Sequence, residues 1–374
     1  MKAIVVGAGI GGLATAVALE AADVDVAVLE RAQPTQRAGA GIALGPNALA
    51  ALERLEAASY VLEHGNTASG RAILDRRGRK LTEGPWHGAI VRRTDLYEAL
   101  LRRLRGEIRY GVRCVSFVES DGHVEARLEQ GGSERGDVLI GADGLRSQTR
   151  AQLHGDGDPI YRGATSWRGI AKFAHPLIAD QIVEIWGCGH RIGLQNLGRG
   201  WTYWFAAQNA LAGTRVVDTQ AKRHLLELFR GWHEPVEAVL AATDPAEILQ
   251  TDLYDRDPLP RWSTARVTLL GDAAHPMTPD LGQGAAQAIE DAVAIGGCLR
   301  AATSVASALR AYEEGRREAA YEVMRRARRH FRISHLANPA ACRARDAAVK
   351  RLPAAVQLAL GVRRPSWRGA SVGD

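Results

Sequence analysis

The residues best able to do chemistry stand beside runs of glycine. The stretch Val267 to Leu299 reads VTLLGDAAHPMTPDLGQGAAQAIEDAVAIGGCL. Four residues of buried-strand character run into Gly271 and Asp272. A proline-bearing loop follows, then Gly282, Gln283 and Gly284, and then Ile289, Ala292, Val293, Gly296 and Leu299 recur at helical spacing. This is a carboxylate at the end of a strand, followed by a glycine-rich start to a helix whose first N–H groups lack partners. Such a pairing suits a polyhydroxylated, partly anionic ligand. His275, which follows Gly-Asp-Ala-Ala, is read as structural rather than as a catalytic base.

A second glycine run lies near the start. Ala3 to Val6 is a short apolar strand, GAGIGG (Gly7 to Gly12) follows at once, Leu13 to Ala22 is a small-residue helix, and Val24 to Leu29 is a strand ending in Glu30. Gly7 permits the tight turn, Gly9 lets a pyrophosphate approach the backbone, and Gly12 lets helix and strand pack closely. Glu30, 18 residues past Gly12, stands where an adenosine ribose would be held. The segment predicts dinucleotide binding. A third run, GADGLRSQTR from Gly141 to Arg150, is a strand end, an Asp-Gly turn and a helix start. Asp143 there has two readings, a local ion pair with Arg146 or a binding role. Arg92 and Arg93 precede a helix with core face Leu96, Leu100, Leu101 and Leu104.

The elements that must position these residues are legible at lower resolution. Gly39 and Gly41 mark a close backbone approach, and Pro46-Asn47 opens a helix. Residues 71 to 90 read as a polar hairpin turning at Arg77-Gly78, and Ile108 to Gln130 as a β-meander. From Tyr161 to Val217 short alternating runs predict an antiparallel sheet rich in tryptophan (Trp167, Trp186, Trp201, Trp204), of which one or two are expected to line a cavity. A helix is expected from Thr219 to Trp232, another from 305 to Ser334, and a further one over 345–361, with the last dozen residues loose.

With 374 residues, 46% of them hydrophobic and 24% charged, the chain is long enough for two or three domains. Cys114, Cys188, Cys298 and Cys342 form no Cys-x-x-Cys pair, so neither a disulfide framework nor a zinc site is indicated, and a reducing cytoplasm is the expected home. Residues 2 to 22 imitate a signal peptide, but the glycine spacing has its own explanation. No apolar run is long enough to span a membrane. From Arg316 onward there are 14 Lys/Arg against 4 Asp/Glu, so this part carries +10 and the rest −4. Without a nucleic-acid motif, that basic arm reads as a solvated helix surface.

The three glycine motifs occur in one chain and in this order, and together they resemble the single-component FAD-dependent aromatic hydroxylases, the p-hydroxybenzoate hydroxylase family. The GAGI…PNA and TPD-x-GQG variants look most like the small salicylate, 3-hydroxybenzoate or urate hydroxylase type. The resemblance covers residues 1 to about 335. It implies that Gly7, Gly9, Gly11 and Gly12 hold the FAD pyrophosphate, with Glu30 and Arg31 at the adenosine ribose. It places Ala43, Arg93, Cys114 and Asp143 at further cofactor contacts, Asp272 at the ribityl chain, and Gly282, Gly284, Ala285 and Ala286 against the flavin. Arg191, Tyr203 and Gln283 become the pocket residues, Arg191 as the group that orients an anionic substrate or polarises the peroxide.

The implied fold is α/β: a Rossmann-like FAD-binding domain interleaved with an antiparallel-sheet substrate domain, plus C-terminal helices. The expected bounds are 1–72, 91–155 and 262–305 for the FAD domain, 73–90 and 156–261 for the substrate domain, and 306–374 for the helical segment. The implied activity is hydroxylation of a small aromatic or heteroaromatic substrate with O2 through a flavin C4a-hydroperoxide. A single Gly-x-Gly-x-x-Gly leaves no separate nicotinamide domain, which fits NAD(P)H as a transient reductant. The alternatives are a flavin epoxidase or oxygenase acting on a terpenoid or quinolone and, from another class, a non-catalytic flavin-binding escort protein. Expected partners are the small substrate alone, with no nucleic acid and no membrane span, in a monomer or homodimer.

Overall fold

Strands that read as continuous apolar runs pair with one another, and strands that alternate form a second sheet. In a computed structural model, residues 1–34 and 40–352 are described. Gly39 and everything after Leu352, including the later part of the helix expected over 345–361, lie outside the described residues. In chain order the elements are β1 (Lys2–Val6), α1 (Ile10–Glu20), β2 (Asp25–Glu30), β3 (Gly41–Leu44), α2 (Pro46–Arg54), α3 (Ala58–His64), β4 (Asn66–Asp75), β5 (Lys80–Arg92) and α4 (Arg93–Leu101). Next come β6 (Ile108–Tyr110), β7 (Cys114–Ser120), β8 (His123–Leu128), β9 (Ser133–Gly136), β10 (Val138–Gly141), α5 (Gln148–His154), β11 (Ile160–Lys172), β12 (Gln181–Trp186), β13 (His190–Gly198) and β14 (Trp201–Asn209). They are followed by α6 (Asp218–Leu228), α7 (Val236–Ala241), β15 (Leu249–Asp255), β16 (Val267–Leu269), α8 (Gly284–Ala301), α9 (Val305–Ser334) and α10 (Pro339–Arg351).

The first sheet is five-stranded, ordered β16-β10-β1-β2-β6, with every pair parallel. Ala3, Val5, Val138, Ile140 and Leu269 pack with Ile295 and Leu299 of α8 and Leu309 and Tyr312 of α9. α1 joins α8, α2 and α4 through Leu13, Val17, Ile289, Leu52, Leu96 and Leu100. Small residues let the two central helices meet: a Cβ on Gly296 would stand 2.9 Å from the Ala18 carbonyl oxygen. Ile108 to Tyr110 belongs to this sheet, beside β2, and not to the expected meander. A three-residue strand gives too little pattern to reveal its partner. The remaining meander is the three-stranded sheet β7-β8-β9.

The second sheet has eight strands, ordered β15-β11-β14-β13-β12-β4-β5-β3. It is antiparallel except where β12 lies parallel to β4, joining the tryptophan-rich strands to the early hairpin. β4 and β5 run unbroken through positions 72/73 and 90/91, so the hairpin is part of this sheet along its whole length. One face packs on α6 and α7 through Trp167, Trp204, Ile185, Leu225 and Phe229. Those tryptophans are core, as burial of so large an apolar surface favours.

Ser304 caps α9: its hydroxyl accepts from the Ser307 N–H and Ser307 reaches back in a capping box. The helix is less solvated than its charge suggests. Arg316 is buried in ion pairs with Asp291 and Glu290, and Arg328 pairs with Asp255 and Asp257. No helix among the described residues is long and apolar enough to cross a membrane, and no His/Cys/Asp/Glu group there could hold a metal ion.

Candidate active site

The turn after β1 is built for close approach. Gly7 has φ +101°, its N–H donates to the Leu29 carbonyl at 2.7 Å, and a Cβ there would stand 2.6 Å from the Ala142 oxygen. A Cβ on Gly12 would be driven into the Gly7 carbonyl, so helix and strand pack as the motif predicts. Gly9 differs. It is the N-cap of α1, no side chain caps that end, and a Cβ there would meet nothing within 4 Å. Space and unpaired N–H groups therefore coincide at one helix start. Glu30 accepts from the Ala8 N–H at 2.7 Å and from the Ala32 N–H at 2.8 Å, which fixes its carboxylate at the rim of this turn. Arg31 beside it is exposed, and Gly11 packs against Leu270 and Ala288.

A second open helix start lies at α8. Gln283 is its N-cap, no side chain caps it and no acid lies in its first turn, while Gly282 before it has φ +63° and is exposed. A Cβ on Gly284 would stand 3.8 Å from Asp272 Oδ1, so the carboxylate and the helix start share one rim. Asp272 is exposed there, whereas Ala286 is buried against α1 and α2. The Gln283 amide oxygen accepts from Asn47 Nδ2 at 3.1 Å. Beneath, Asp291 accepts from the Gly271 N–H at 3.1 Å, meets His275 Nε2 at 2.5 Å and pairs with Arg316 Nε at 2.7 Å. Burial alone would raise the Asp291 carboxyl, but His275 and Arg316 hold it down at about 2. His275, wholly buried against Trp262, belongs to this support.

The pocket-facing side of the large sheet follows from register. Arg71, Ile182, Gln195, Tyr203 and Ile170 form one row across it; Ile73, Glu184, Gly193, Phe205 and Arg168 form the next. Ala40, Ala43, Trp86, Ile90, Ile170, Ile182, Leu197, Tyr203 and Phe205 make one apolar cluster. A Cβ on Gly41 would overlap the Tyr203 ring, so Gly41 seats that tyrosine. The positive charge of Arg93 acts on both Tyr203 and Asp272, which ties the pocket wall to the α8 rim. Gln195, which the sequence reading missed, is buried with an amide oxygen that accepts no hydrogen bond among the described residues. Its signal was present in the alternation of HRIGLQNLG.

Arg191 sits in the following row and is fully buried. Its guanidinium pairs with Glu184, donates to Asp280 Oδ1 at 2.7 Å, lies over the Phe205 ring at 5.3 Å and points Nε at His335 Nε2, 3.4 Å away. Two carboxylates already answer its charge, so it presents no free cation to an anionic substrate. Burial would raise the Asp280 carboxyl, yet Arg191 with His330 and His335 nearby brings it to about 2. Asp143 accepts from the Ser147 hydroxyl and from the Gln148 and Thr149 N–H groups, so it organises the start of α5; Arg146 instead approaches Asp158. Cys114 is buried against Ile4, Val6 and Leu29, and burial pushes its thiol up to about 11. Among the tryptophans singled out, Trp201 lines a cavity of about 320 Å³ with Arg92, His64 and Leu197.

Two uncapped helix starts, a glycine whose missing Cβ leaves a cradle and a carboxylate beside each are features that fit the anionic and polyhydroxylated parts of FAD. Comparison with known proteins agrees. The chain matches the FAD binding domain family over residues 1–327. It is 36% identical over 356 residues to an aurachin C monooxygenase/isomerase of Stigmatella aurantiaca, covering 92% of this chain and 93% of that one. An FAD-dependent urate hydroxylase of Klebsiella pneumoniae is 33% identical, with 90% and 91% covered. The solved structure of Klebsiella pneumoniae HpxO complexed with FAD and uric acid is 30% identical, with a TM-score of 0.89 over 96% of this chain and 95% of that one. The chain therefore belongs to the FAD-binding family of flavoprotein monooxygenases that its three glycine motifs resemble.

Proposed function

We propose that this protein hydroxylates a small aromatic or heteroaromatic compound, using NAD(P)H to reduce its FAD and dioxygen as the oxidant. The observation that carries this is the juxtaposition of the uncapped α8 start with an apolar wall bearing a buried amide oxygen, that of Gln195, without a partner among the described residues. An apolar pocket with few polar groups selects a flat ring and orients it by its polar edge. A heteroaromatic edge suits Gln195, and the relative solved with uric acid binds a ring of that kind.

When bound, the FAD supplies reducing power and activated oxygen. The protein does the rest. The α8 N–H groups favour negative charge at the cofactor's pyrimidine edge. Asp272 and Arg93 position the polar chain between adenosine and ring, while Glu30 and Arg31 hold the adenosine end. Ala43, Tyr203, Phe205 and Ile170 exclude water and place the substrate ring. Arg191 acts by locking Asp280, in the turn before Gly282, onto the pocket sheet. Only one parallel dinucleotide-type sheet exists among the described residues, so the reductant is taken to visit the same groove. FAD-loaded protein tested with NADH and NADPH should consume reductant faster when the right phenol, purine or quinolone is added. Stimulation by an alkene with formation of an epoxide would favour the epoxidase alternative, and indifference to all reductants the escort alternative.

A further inference from the structure

Two cysteines far apart in the chain meet at the rim of the large sheet. Cys188 lies in the turn between β12 and β13, and Cys342 near the start of α10. Both neighbours of Cys188 are bonded to the segment around Cys342. The Gly189 N–H donates to the Leu336 carbonyl at 2.7 Å, and the Gly187 carbonyl accepts from Arg345 Nη2 at 3.0 Å. The Cys342 thiol donates to the same Leu336 carbonyl at 3.1 Å, so Gly189 N and Cys342 Sγ stand no more than 5.8 Å apart, the sum of the two distances. Gly189 has φ +75°, and a Cβ there would lie 3.3 Å from Ala337 Cβ, so the turn is wedged against this segment. The wedge brings the two thiols within hydrogen-bond reach of each other, and neither is bonded to another sulfur. They differ in access. Cys188 is exposed, whereas Cys342 is 3% exposed, and burial with the Cys188 thiol beside it pushes Cys342 up to about 11. Arg345, whose guanidinium lies over the Trp186 ring at 5.1 Å, favours the Cys342 thiolate.

We propose that Cys188 and Cys342 form a redox-active dithiol which hydrogen peroxide converts to a disulfide, fastening α10 to the rim of the large sheet. This modification site is separate from the proposed hydroxylation and holds whether or not that reading does. The exposed sulfur reacts first. Cys188, as thiolate, attacks one peroxide oxygen: an S–O bond forms, the O–O bond breaks, and the departing hydroxide recovers the proton that Cys188 gave up and leaves as water. Cys342 then attacks the Cys188 sulfur and releases its own proton. An S–S bond forms, the S–O bond breaks, and the hydroxide leaves with that proton as a second water. Each sulfur gives up one electron and the two peroxide oxygens take them, so one peroxide yields one disulfide and two waters. Closing brings the sulfurs from contact to about 2 Å, a short approach for an exposed side chain. In a reducing medium the pair stays open, so the bond answers to oxidant rather than holding the resting fold. What it fastens is specific. β12 ends at Trp186, paired with Arg191 of β13, and Val349 of α10 packs with Ile73, Leu81 and Trp186. An S–S bond near the start of α10 therefore fixes that helix to the strands that carry Arg191.

The test uses the FAD-loaded full chain, reduced, freed of reductant, exposed to hydrogen peroxide, and then blocked with N-ethylmaleimide in denaturant and digested with trypsin. Treated wild type should take up two fewer maleimide groups than reduced wild type and yield a linked pair of peptides, 173–191 with 333–343. Dithiothreitol added before blocking should abolish both changes. C188S, altered at an exposed position, should show neither, and C342S should instead accumulate a Cys188 sulfenic acid that dimedone traps. Wild type in which Cys188 is oxidised further with no linked pair, or in which the link joins another cysteine, overturns the proposal. So does a link that dithiothreitol leaves intact in the folded protein. The second measurement is amide hydrogen exchange across α10, expected to slow by about tenfold or more in oxidised relative to reduced wild type and to ignore peroxide in C188S. Equal exchange in the two wild-type states overturns the fastening of α10 even where the bond forms. Both measurements are made without turnover, so failure of the hydroxylase reading leaves them unchanged.

Discussion

Gly9 and Gly12 lie three residues apart on one turn, yet the structure assigns opposite consequences to an added methyl group. Gly9 has φ −68° and ψ −177°, an extended conformation open to any residue, and its Cβ would meet nothing within 4 Å. In apoprotein, G9A loses a modest N-cap preference and gains by restricting the unfolded chain, so stability should stay within about 1 kcal/mol of wild type. The methyl group instead occupies the space through which a pyrophosphate reaches the α1 N–H groups. Losing one charge-assisted hydrogen bond costs roughly 1.5–3 kcal/mol, which is about 10- to 150-fold in Kd. Gly12 is closed on the protein side: its Cβ would strike the Gly7 carbonyl and crowd Ala142 Cβ at 3.3 Å. G12A must spread α1 from β1, and overpacking of that kind costs roughly 1–3 kcal/mol. Urea unfolding of both apoproteins, with FAD titrations followed by flavin fluorescence, separates the two. G9A that binds FAD like wild type would refute the placement of the pyrophosphate. G9A that unfolds at markedly lower urea would refute the claim that its space is empty.

Three further outcomes follow. G41A, whose methyl group overlaps the Tyr203 ring, should keep FAD but lose aromatic stimulation of NAD(P)H oxidation at least tenfold, judged from steady-state rates against flavin content. R316M strands Asp291 and Glu290, which Arg316 meets at 2.7 Å each, and should cost about 3–5 kcal/mol in urea unfolding; a loss under about 1 kcal/mol would contradict the buried network. Asp280 and Asp291 are both held at about 2, below an unfolded value of about 3.9. Their ionised forms therefore contribute stability that is complete above the unfolded value and lost as pH falls toward 2. Circular dichroism during acid titration should show that limb, and a shallower one in D291N.

Much of the frame proposed to carry the cofactor was legible because its residues are local. A tight turn, a glycine-lined helix start and an acid at a strand end repeat a mechanism within about 30 residues, and β1, α1, β2 and α8 lie where the pattern placed them. α9 was equally plain, ending at Ser334 as read. The pocket was less so. Arg191 was visible as a residue but its partner Asp280 is 89 positions away, and nothing in a single chain announces that pairing. The parallel contact of β12 with β4 is likewise non-local: the residues of the early hairpin show only a polar hairpin, and its place with the later strands came from the resemblance alone. His330 hid in a basic helix read as solvated, since periodicity separates faces but does not say what each face meets.

The central claim is that this groove binds a flavin which delivers one oxygen atom from O2 to an aromatic ring lying against Tyr203. Its most direct test is mass spectrometry of products formed by the FAD-loaded protein with NAD(P)H under labelled dioxygen, across phenols, hydroxypurines and hydroxyquinolines. The account predicts that one class of ring stimulates reductant consumption and gains a single labelled oxygen. A yellow protein that consumes no extra reductant with any ring, or a product whose oxygen comes from water, would contradict it.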